Sequence, residues 1–387
     1  MRVAFILMDF PVKSETFVLR DIDSLNEKGE EVSVFTLLGP IKARSYNGID
    51  INVNLESIRL LRSVQSLIKL TSWVIFVLLK EKRLIEKLKL IYLAPRCLKL
   101  AYAIDTGKYD VVHLYWGHYP SLVGLMLRDR AVASLISLFL GAYDLEKNLE
   151  VSKVMSAQAD IRWTHAKGNL IKLARADFPL SNQFMVNYRS LKIQEDGPQQ
   201  TPMKLRKYDF ITVSRLIEEK GIMEALRAVN ELNKEGIPFK YAIVGEGPLK
   251  DQILSYIQRH GLTSCIDFYG YLPIEGVFSL MQNSRNFILL SEKVGECLPN
   301  VIKEALMHKC YILTGNSDCI RELIPNKKVG IIVDRFDHKK IVTVLKDFLD
   351  GKIAQDISYQ EGLIRHKFDI EWSSKKYISE WSKLGAK

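Results

Sequence analysis

Phe287-Ile288-Leu289-Leu290-Ser291-Glu292-Lys293-Val294-Gly295-Glu296-Cys297-Leu298-Pro299-Asn300-Val301-Ile302-Lys303-Glu304-Ala305 reads, left to right, as a strand, a turn and the start of a helix. The apolar run 287–290 is short and ends in polar turn residues, as in a strand covered on both faces. Pro299 suits a first helical turn, where its missing N–H costs nothing. A strand feeding straight into a helix is the unit from which parallel sheets are built.

The same unit recurs on both sides. Upstream, 209–213, 241–244 and 266–269 are apolar runs. Downstream are 311–313 and 329–333. Between the first two, Ile222, Ala225, Leu226, Val229 and Leu232 fall at helical spacing; after 244, Leu249, Ile253 and Ile257 do the same. The first half has this rhythm too. Runs at 2–8, 31–37, 110–115, 134–140 and 161–164 alternate with helical stretches, one of them from Glu15 to a stop at Gly29. Residues 191–207 are polar and contain Gly197, Pro198, Gln199, Gln200 and Pro202, a linker composition. The tail, 354–387, reads as two helices. The expectation is an α/β protein with a Rossmann-like domain over 1–195, a second over 205–365, and a last helix, 366–387, packing back on the first domain.

Size and composition agree with two folded cores. The chain has 387 residues, 47% of them hydrophobic. Its five cysteines are scattered, without Cys-x-x-Cys or zinc-type spacing, which points to a reducing compartment and a cytoplasmic location. The opening residues turn polar at Asp9, so they read as a first strand rather than a signal peptide. No apolar run approaches the roughly 18 residues that span a bilayer. Net charge is +10, and it is concentrated. Residues 58–100 hold ten Lys/Arg against two acids, Glu81 and Glu86, among many Leu, Ile, Val, Phe and Trp. Core helices with snorkelling lysines would account for this. We favour helices over 58–105 that lie against an anionic membrane surface, with Trp73 and Tyr92 at headgroup level. No nucleic-acid module is present, and no nucleic-acid partner is expected.

In open parallel sheets, ligands bind beyond the carboxyl ends of the strands, where helix N-termini favour anions. Three such turns stand out. In the opening stretch, Glu296 lies in the loop and Glu304 one to two turns into the helix, while the amides of Leu298, Pro299's neighbour Asn300 and Val301 point outward. Two surface glutamates would give the same pattern. Ser214-Arg215-Leu216-Ile217-Glu218-Glu219-Lys220-Gly221 offers an Arg fork and a Lys point charge, a usual pair for phosphate, though also an ordinary basic helix start. Gly245-Glu246-Gly247-Pro248 permits close backbone approach. Full dinucleotide-binding and Walker fingerprints are absent. Asp21-Ile22-Asp23 has a metal-binding form but falls in a helical stretch and reads as a solvated face. No catalytic metal and no cofactor are expected.

Taken together, Arg215…Lys220, Gly245-Glu246-Gly247-Pro248, Phe268-Tyr269-Gly270-Tyr271-Leu272 and Glu296-x₇-Glu304 resemble the retaining glycosyltransferases of family 4, which have the GT-B fold. Phe10-Pro11 with Ser14-Glu15-Thr16-Phe17 resembles the start of members that build bacterial surface polysaccharides. The resemblance is strong over 205–335 and looser over 1–40 and 108–190. It implies two Rossmann-like domains whose parallel sheets face across a cleft. It implies a nucleotide-sugar donor and a lipid-linked or oligosaccharide acceptor. Arg215 and Lys220 would hold the donor diphosphate, Glu304 the ribose and Glu296 the transferred sugar. Gly245, Tyr271 and Leu272 would frame the base, and the amides at Leu298, Pro299, Asn300 and Val301 would meet phosphate or sugar. Lys13, Ser14 and Glu15 would approach the reacting centre, with His118 and Asp144 nearby. One departure is clear: Leu140 stands where many members have a histidine, and His118 lies one strand earlier. A GT-B epimerase or phosphorylase, or a non-catalytic sugar-nucleotide-binding subunit, stays open as an alternative.

Overall fold

The computed structural model describes residues 1–12, 15–52, 55, 64–129, 134–179, 184–193, 202–292 and 297–385, with backbone alone over 64–71. It divides into two compact units. Unit 1 comprises Met1–Ser190 and Ile370–Lys387; unit 2 is Leu191–Asp369.

Unit 1 is built on β1 (Arg2–Leu7), β2 (Glu31–Thr36), β3 (Arg44–Tyr46), β4 (Ile49–Ile51), β5 (Val111–Leu114), β6 (Leu135–Leu140), β7 (Ile161–Thr164) and β8 (Phe184–Val186). Their order is β3-β4-β2-β1-β5-β6-β7-β8, and every pair is parallel except β3 with β4. Strands β5, β6 and β7 are buried along their whole length, which is why they read as unbroken apolar runs. The sheet changes winding direction between β1 and β5. The short strands β3, β4 and β8 carry no run long enough to announce them.

The last helix of the chain, Ile370–Lys383, completes unit 1. Ser374 meets Ser24 at 2.9 Å, and Asn187 donates to the Ser373 carbonyl at 3.1 Å. Trp381 and Tyr377 enter the aromatic core beside β5, β6 and β7. There, Ser137 Oγ is the hub of a buried network. Trp163 Nε1 donates to it at 2.9 Å and Trp381 Nε1 at 3.0 Å. A hydroxyl has two lone pairs, so both are used. Its own hydrogen is then left for His113 Nδ1, 2.9 Å away. This fixes His113 as the Nδ1-acceptor tautomer. Protonation would place a hydrogen on Nδ1 against an oxygen with no lone pair left.

Burial pushes His113 down to about 3 from its ordinary 6.5. Below about pH 6.5 the unfolded chain therefore takes up a proton that the folded chain refuses. Stability falls with pH at about 1.4 kcal/mol per pH unit from this one group. Urea midpoints at about pH 7 and pH 5 should accordingly separate more for the wild type than for His113→Gln, by about 2 kcal/mol. Equal separations would refute the assignment.

Asp21 is not on a solvated face. It is buried, and Tyr115 Oη donates to its carboxylate at 2.5 Å. The strand-borne phenol supplies the partner that lets a carboxylate sit inside. Trp73 is partly buried against the unit 1 core rather than displayed, whereas Tyr92 is exposed.

Unit 2 contains β9 (Tyr208–Val213), β10 (Tyr241–Val244), β11 (Ile266–Gly270), β12 (Ser284–Leu289), β13 (Tyr311–Gly315) and β14 (Gly330–Val333). All pairs are parallel, in the order β11-β10-β9-β12-β13-β14. The chain winds outward from β9 to β11, crosses back, and winds the other way from β12 to β14. The reversal between β9 and β12 opens a crevice at their carboxyl ends.

Candidate donor site

Three loops of unit 2 meet at that reversal. The first leaves β9 and carries Arg215 and Lys220, the second leaves β10 and carries Gly245, and the third leaves β12 and enters the helix Asn300–Met307.

The first two loops are bound backbone to backbone. Ser214 N–H donates to the Val244 carbonyl at 3.1 Å, Leu216 N–H to Glu246 at 2.9 Å, and Leu249 N–H to Leu216 at 3.0 Å. Gly245 has φ +145°, and a Cβ there would collide with the Ser214 carbonyl oxygen, so only glycine permits this approach. Gly221, at φ +67°, abuts the end of the third loop's strand in the same way: a Cβ there would strike the Leu290 carbonyl. The first and third loops are further joined by Glu292 N–H to the Glu219 carbonyl at 3.3 Å. Arg335, just past β14, locks both by donating from its N–H to Glu292 and from Nη1 to the Glu218 carbonyl, each at 3.2 Å.

This scaffold sets the side chains. Lys220 ends a single 3₁₀ turn, Glu218–Lys220, and is buried; Arg215 is exposed. Ser214 turns its hydroxyl to the Arg215 carbonyl at 3.1 Å. Pro299 is the N-cap of the helix Asn300–Met307, one residue before the first turn expected for it. Leu298 and Pro299 are buried, and Asn300 and Val301 are half-buried. The first-turn amides of such a helix have no intrahelical acceptor. Glu304 lies one turn in and is buried, as are Ile302 and Ala305. Tyr271 is exposed just past β11, and Leu272 is half-buried. Gly270 N-terminal to them accepts the Gly245 N–H at 2.7 Å, so this turn borders the β10 loop. An open depression of about 400 Å³ adjoins the site, lined by Glu292, Asn316, Arg321, Ile332, Val333 and Asp334. Glu296 lies outside the described residues, as do Lys13 and Ser14.

In unit 1, Glu15 and His118 follow the carboxyl ends of β1 and β5, and Asp144 lies in the first turn of the helix Ala142–Lys147 that follows β6. His118 Nδ1 lies 2.9 Å from Asp144 Oδ1, a pairing across 26 residues that no local pattern announces. Trp116 hydrogen-bonds to the Glu15 carboxylate. Burial raises the Glu15 proton affinity above the usual carboxylate range, and Arg189 partly offsets it. Arg189, missed in the sequence, places its guanidinium carbon 4.0 Å from the Phe17 ring centre and 4.7 Å from that of Trp116.

Residues 193–362 match the family model described as glycosyl transferases group 1. The amylovoran biosynthesis glycosyltransferase AmsK of Erwinia amylovora is 23% identical over 400 residues, covering 91% of each chain. In Campylobacter jejuni, the N-acetylgalactosamine-N,N'-diacetylbacillosaminyl-diphospho-undecaprenol 4-alpha-N-acetylgalactosaminyltransferase is 24% identical over 70% of this chain and 74% of its own. Among solved structures, Anabaena HepE in complex with UDP aligns over 99% of this chain and all of its own, with a TM-score of 0.70 and 14% identity. The structural likeness establishes the GT-B fold, and the sequence matches support a glycosyltransferase.

Proposed function

We propose that this chain transfers a sugar, with retention at its anomeric carbon, from a nucleotide-sugar donor to a lipid-linked or oligosaccharide acceptor in bacterial surface-polysaccharide synthesis. The observation that carries this reading is the convergence of the Lys220, Gly245 and Asn300 loops at the winding reversal of unit 2. A diphosphate placed there meets Lys220, Arg215 and the first-turn amides of Asn300–Met307, and these offset the charge that grows as it leaves. Glu304 accepts from the ribose hydroxyls. Gly245, Tyr271 and Leu272 border the base. Glu296 binds hydroxyls of the transferred sugar. The charge is offset by protein groups alone, so the reading requires no metal. Names of the relatives supply the process: one builds amylovoran and another acts on a diphospho-undecaprenol substrate.

The test is a panel of UDP- and GDP-sugars with undecaprenyl-diphosphate-linked saccharide acceptors. Release of nucleoside diphosphate with a product of unchanged anomeric configuration, read by proton NMR coupling, is expected. Epimerised or phosphorolysed donor, or binding without turnover on any acceptor, would replace this reading by one of its rivals.

An acceptor of that kind must be met at a bilayer, and the helix Leu84–Gly107 offers a surface for it. Leu84, Ile85, Leu88, Ile91 and Tyr92 share one helical face and are 52% to 77% exposed, although the opposite face buries Leu90, Leu93 and Cys97. Lys80, Lys82, Arg83 and Lys89 flank it, all exposed. The two acids of the segment are removed from the surface: Glu81 is buried on Arg83, and Glu86 on Lys89 and the Tyr119 hydroxyl. The outward charge is thus wholly basic along this helix start. No helix among the described residues is long and apolar enough to cross a membrane. The protein should float with phosphatidylglycerol vesicles and less with neutral ones. The double change Leu84→Glu/Leu88→Glu removes about 1.5–3 kcal/mol of insertion per side chain and should abolish flotation. Flotation that ignores both lipid charge and these two residues would end the membrane proposal.

A further inference from the structure

Arg335 follows β14, the edge strand of the unit 2 sheet, with β13 and β12 lying between it and β9. Its side chain nevertheless reaches the loop that leaves β9, where Nη1 donates to the Glu218 carbonyl at 3.2 Å. Between the two stands the loop after β12. There Arg335 Nε lies 3.7 Å from Glu292 Oε2, and the Arg335 backbone N–H donates to Glu292 Oε1 at 3.2 Å. Glu292 in turn donates its own N–H to the Glu219 carbonyl at 3.3 Å. The carbonyls of Glu218 and Glu219, the first two residues of the 3₁₀ turn that ends in Lys220, are therefore both held from outside the turn.

The turn has reason to need this. Inside it, Lys220 N–H donates to the Ile217 carbonyl and Gly221 N–H to the Glu218 carbonyl, each at 3.1 Å. Hydrogen bonds of 3₁₀ type are poorer than those of an α-helix, and here a single turn stands alone. A carbonyl oxygen has two lone pairs, and at Glu218 one takes Gly221 and the other Arg335. Arg335 itself projects from a tied stretch. Phe336 N–H donates to Asp334 Oδ1 at 2.8 Å, and Asp337 caps the helix His338–Leu349 by accepting the Lys340 N–H at 3.0 Å. Its guanidinium carbon lies 4.5 Å from the Phe336 ring centre. The Arg335 side chain is 14% exposed and that of Glu292 27%, so the pair is partly withdrawn from water.

We propose that Arg335 is a positioning residue for the donor site: with Glu292 it clamps the Glu218–Lys220 turn and so sets where the Lys220 side chain stands when a diphosphate binds. This rests on the donor reading of unit 2 given above and adds to it the groups that keep Lys220 in place. Arg335 acts through the turn and needs no contact with the donor. The guanidinium suits the task because its fork serves a carboxylate and a carbonyl at once, which the single charge of a lysine does not.

The experiment uses the full chain with UDP-glucose, UDP-galactose, UDP-N-acetylglucosamine and GDP-mannose, and water or a polyprenyl-diphosphate-linked saccharide as acceptor. The sugar nucleotide that the wild type consumes is carried forward, and UDP dissociation constants are measured by calorimetry beside the kinetics. Arg335→Met keeps the aliphatic stem and should lower kcat/KM by about 10-fold, the loss expected when a charged group is misplaced by a fraction of an ångström. Arg335→Lys keeps the charge beside Glu292 and should lose about threefold. The decisive readout is a double-mutant cycle. In a Lys220→Ala background, Arg335→Met should cost less than about twofold, in kcat/KM and in UDP affinity alike, because the group it positions is gone. A merely structural arginine would cost the same factor in both backgrounds, and that result would overturn the proposal. So would Arg335→Met or Arg335→Lys activity equal to the wild type. If the wild type consumes no sugar nucleotide, the transfer reading falls, and the same cycle in UDP affinity decides this inference alone. A wild type that also fails to bind UDP overturns both.

Discussion

Lys220→Ala is expected to lower kcat/KM by about 100- to 1,000-fold, the scale at which removing one preorganised charge from a transition-state site is felt. The reason lies in how the lysine is held. It closes the 3₁₀ turn Glu218–Lys220 and is followed by Gly221, whose left-handed backbone lets the loop lie directly on Leu290. The backbone of this turn is therefore fixed beside the exit of β12, and the lysine side chain is buried, before any substrate arrives. A fixed charge costs no reorganisation as negative charge builds on the leaving diphosphate. Arg215, exposed on the same loop, has more freedom, and its loss should cost less. Glu304→Ala separates from both. It removes a hydrogen-bond acceptor used equally in the bound and transition states, so the donor KM should rise about 10-fold with kcat little changed. Steady-state kinetics on the identified donor check all three. A Lys220→Ala enzyme within about threefold of wild type would show that the diphosphate is held elsewhere.

The parts of this molecule that could be read in its sequence are those whose cause is local. The αβ rhythm was legible because strands buried on both faces are unbroken apolar runs, and helices between them repeat at their own period. The meeting of the candidate loops was legible in part because a close backbone approach demands glycine, and Gly221 and Gly245 stand at the two contacts. What escaped has a non-local cause. Strands β3, β4 and β8 have three residues each and exist because a neighbour pairs with them. Asp21 lies on the same helix as exposed polar residues, and its partner Tyr115 comes 94 residues later. Arg189 follows the last strand of unit 1 and gains its place from rings at 17, 116 and 139. His118 and Asp144 were each visible as residues past a strand end, but their hydrogen bond depends on β5 and β6 being neighbours.

The second large effect concerns stability and lies far from any loop. Trp381→Ala should destabilise unit 1 by about 3–5 kcal/mol, the usual range for deleting a buried aromatic side chain. The indole is fully buried, stacks on Tyr377 with ring centres 5.2 Å apart, and meets His113 edge-on at 5.6 Å. Its removal leaves a cavity and also strips one of the two donors from Ser137 Oγ. That oxygen would regain a lone pair facing no partner, a penalty beyond the lost apolar area. Because folded domains hold only about 5–15 kcal/mol in reserve, a loss of this size consumes a large share of it. The thermal midpoint should drop by about 10 °C for a unit of this size. Trp381→Phe keeps most of the packing and loses the N–H, so it should cost about 1–2 kcal/mol. The contrast between the two variants separates packing from hydrogen bonding. A Trp381→Ala protein that melts with the wild type would mean that the helix Ile370–Lys383 is an appendage. The buried hub at Ser137 predicts instead that residues arriving after all of unit 2 has been threaded are part of the core begun at residue 2.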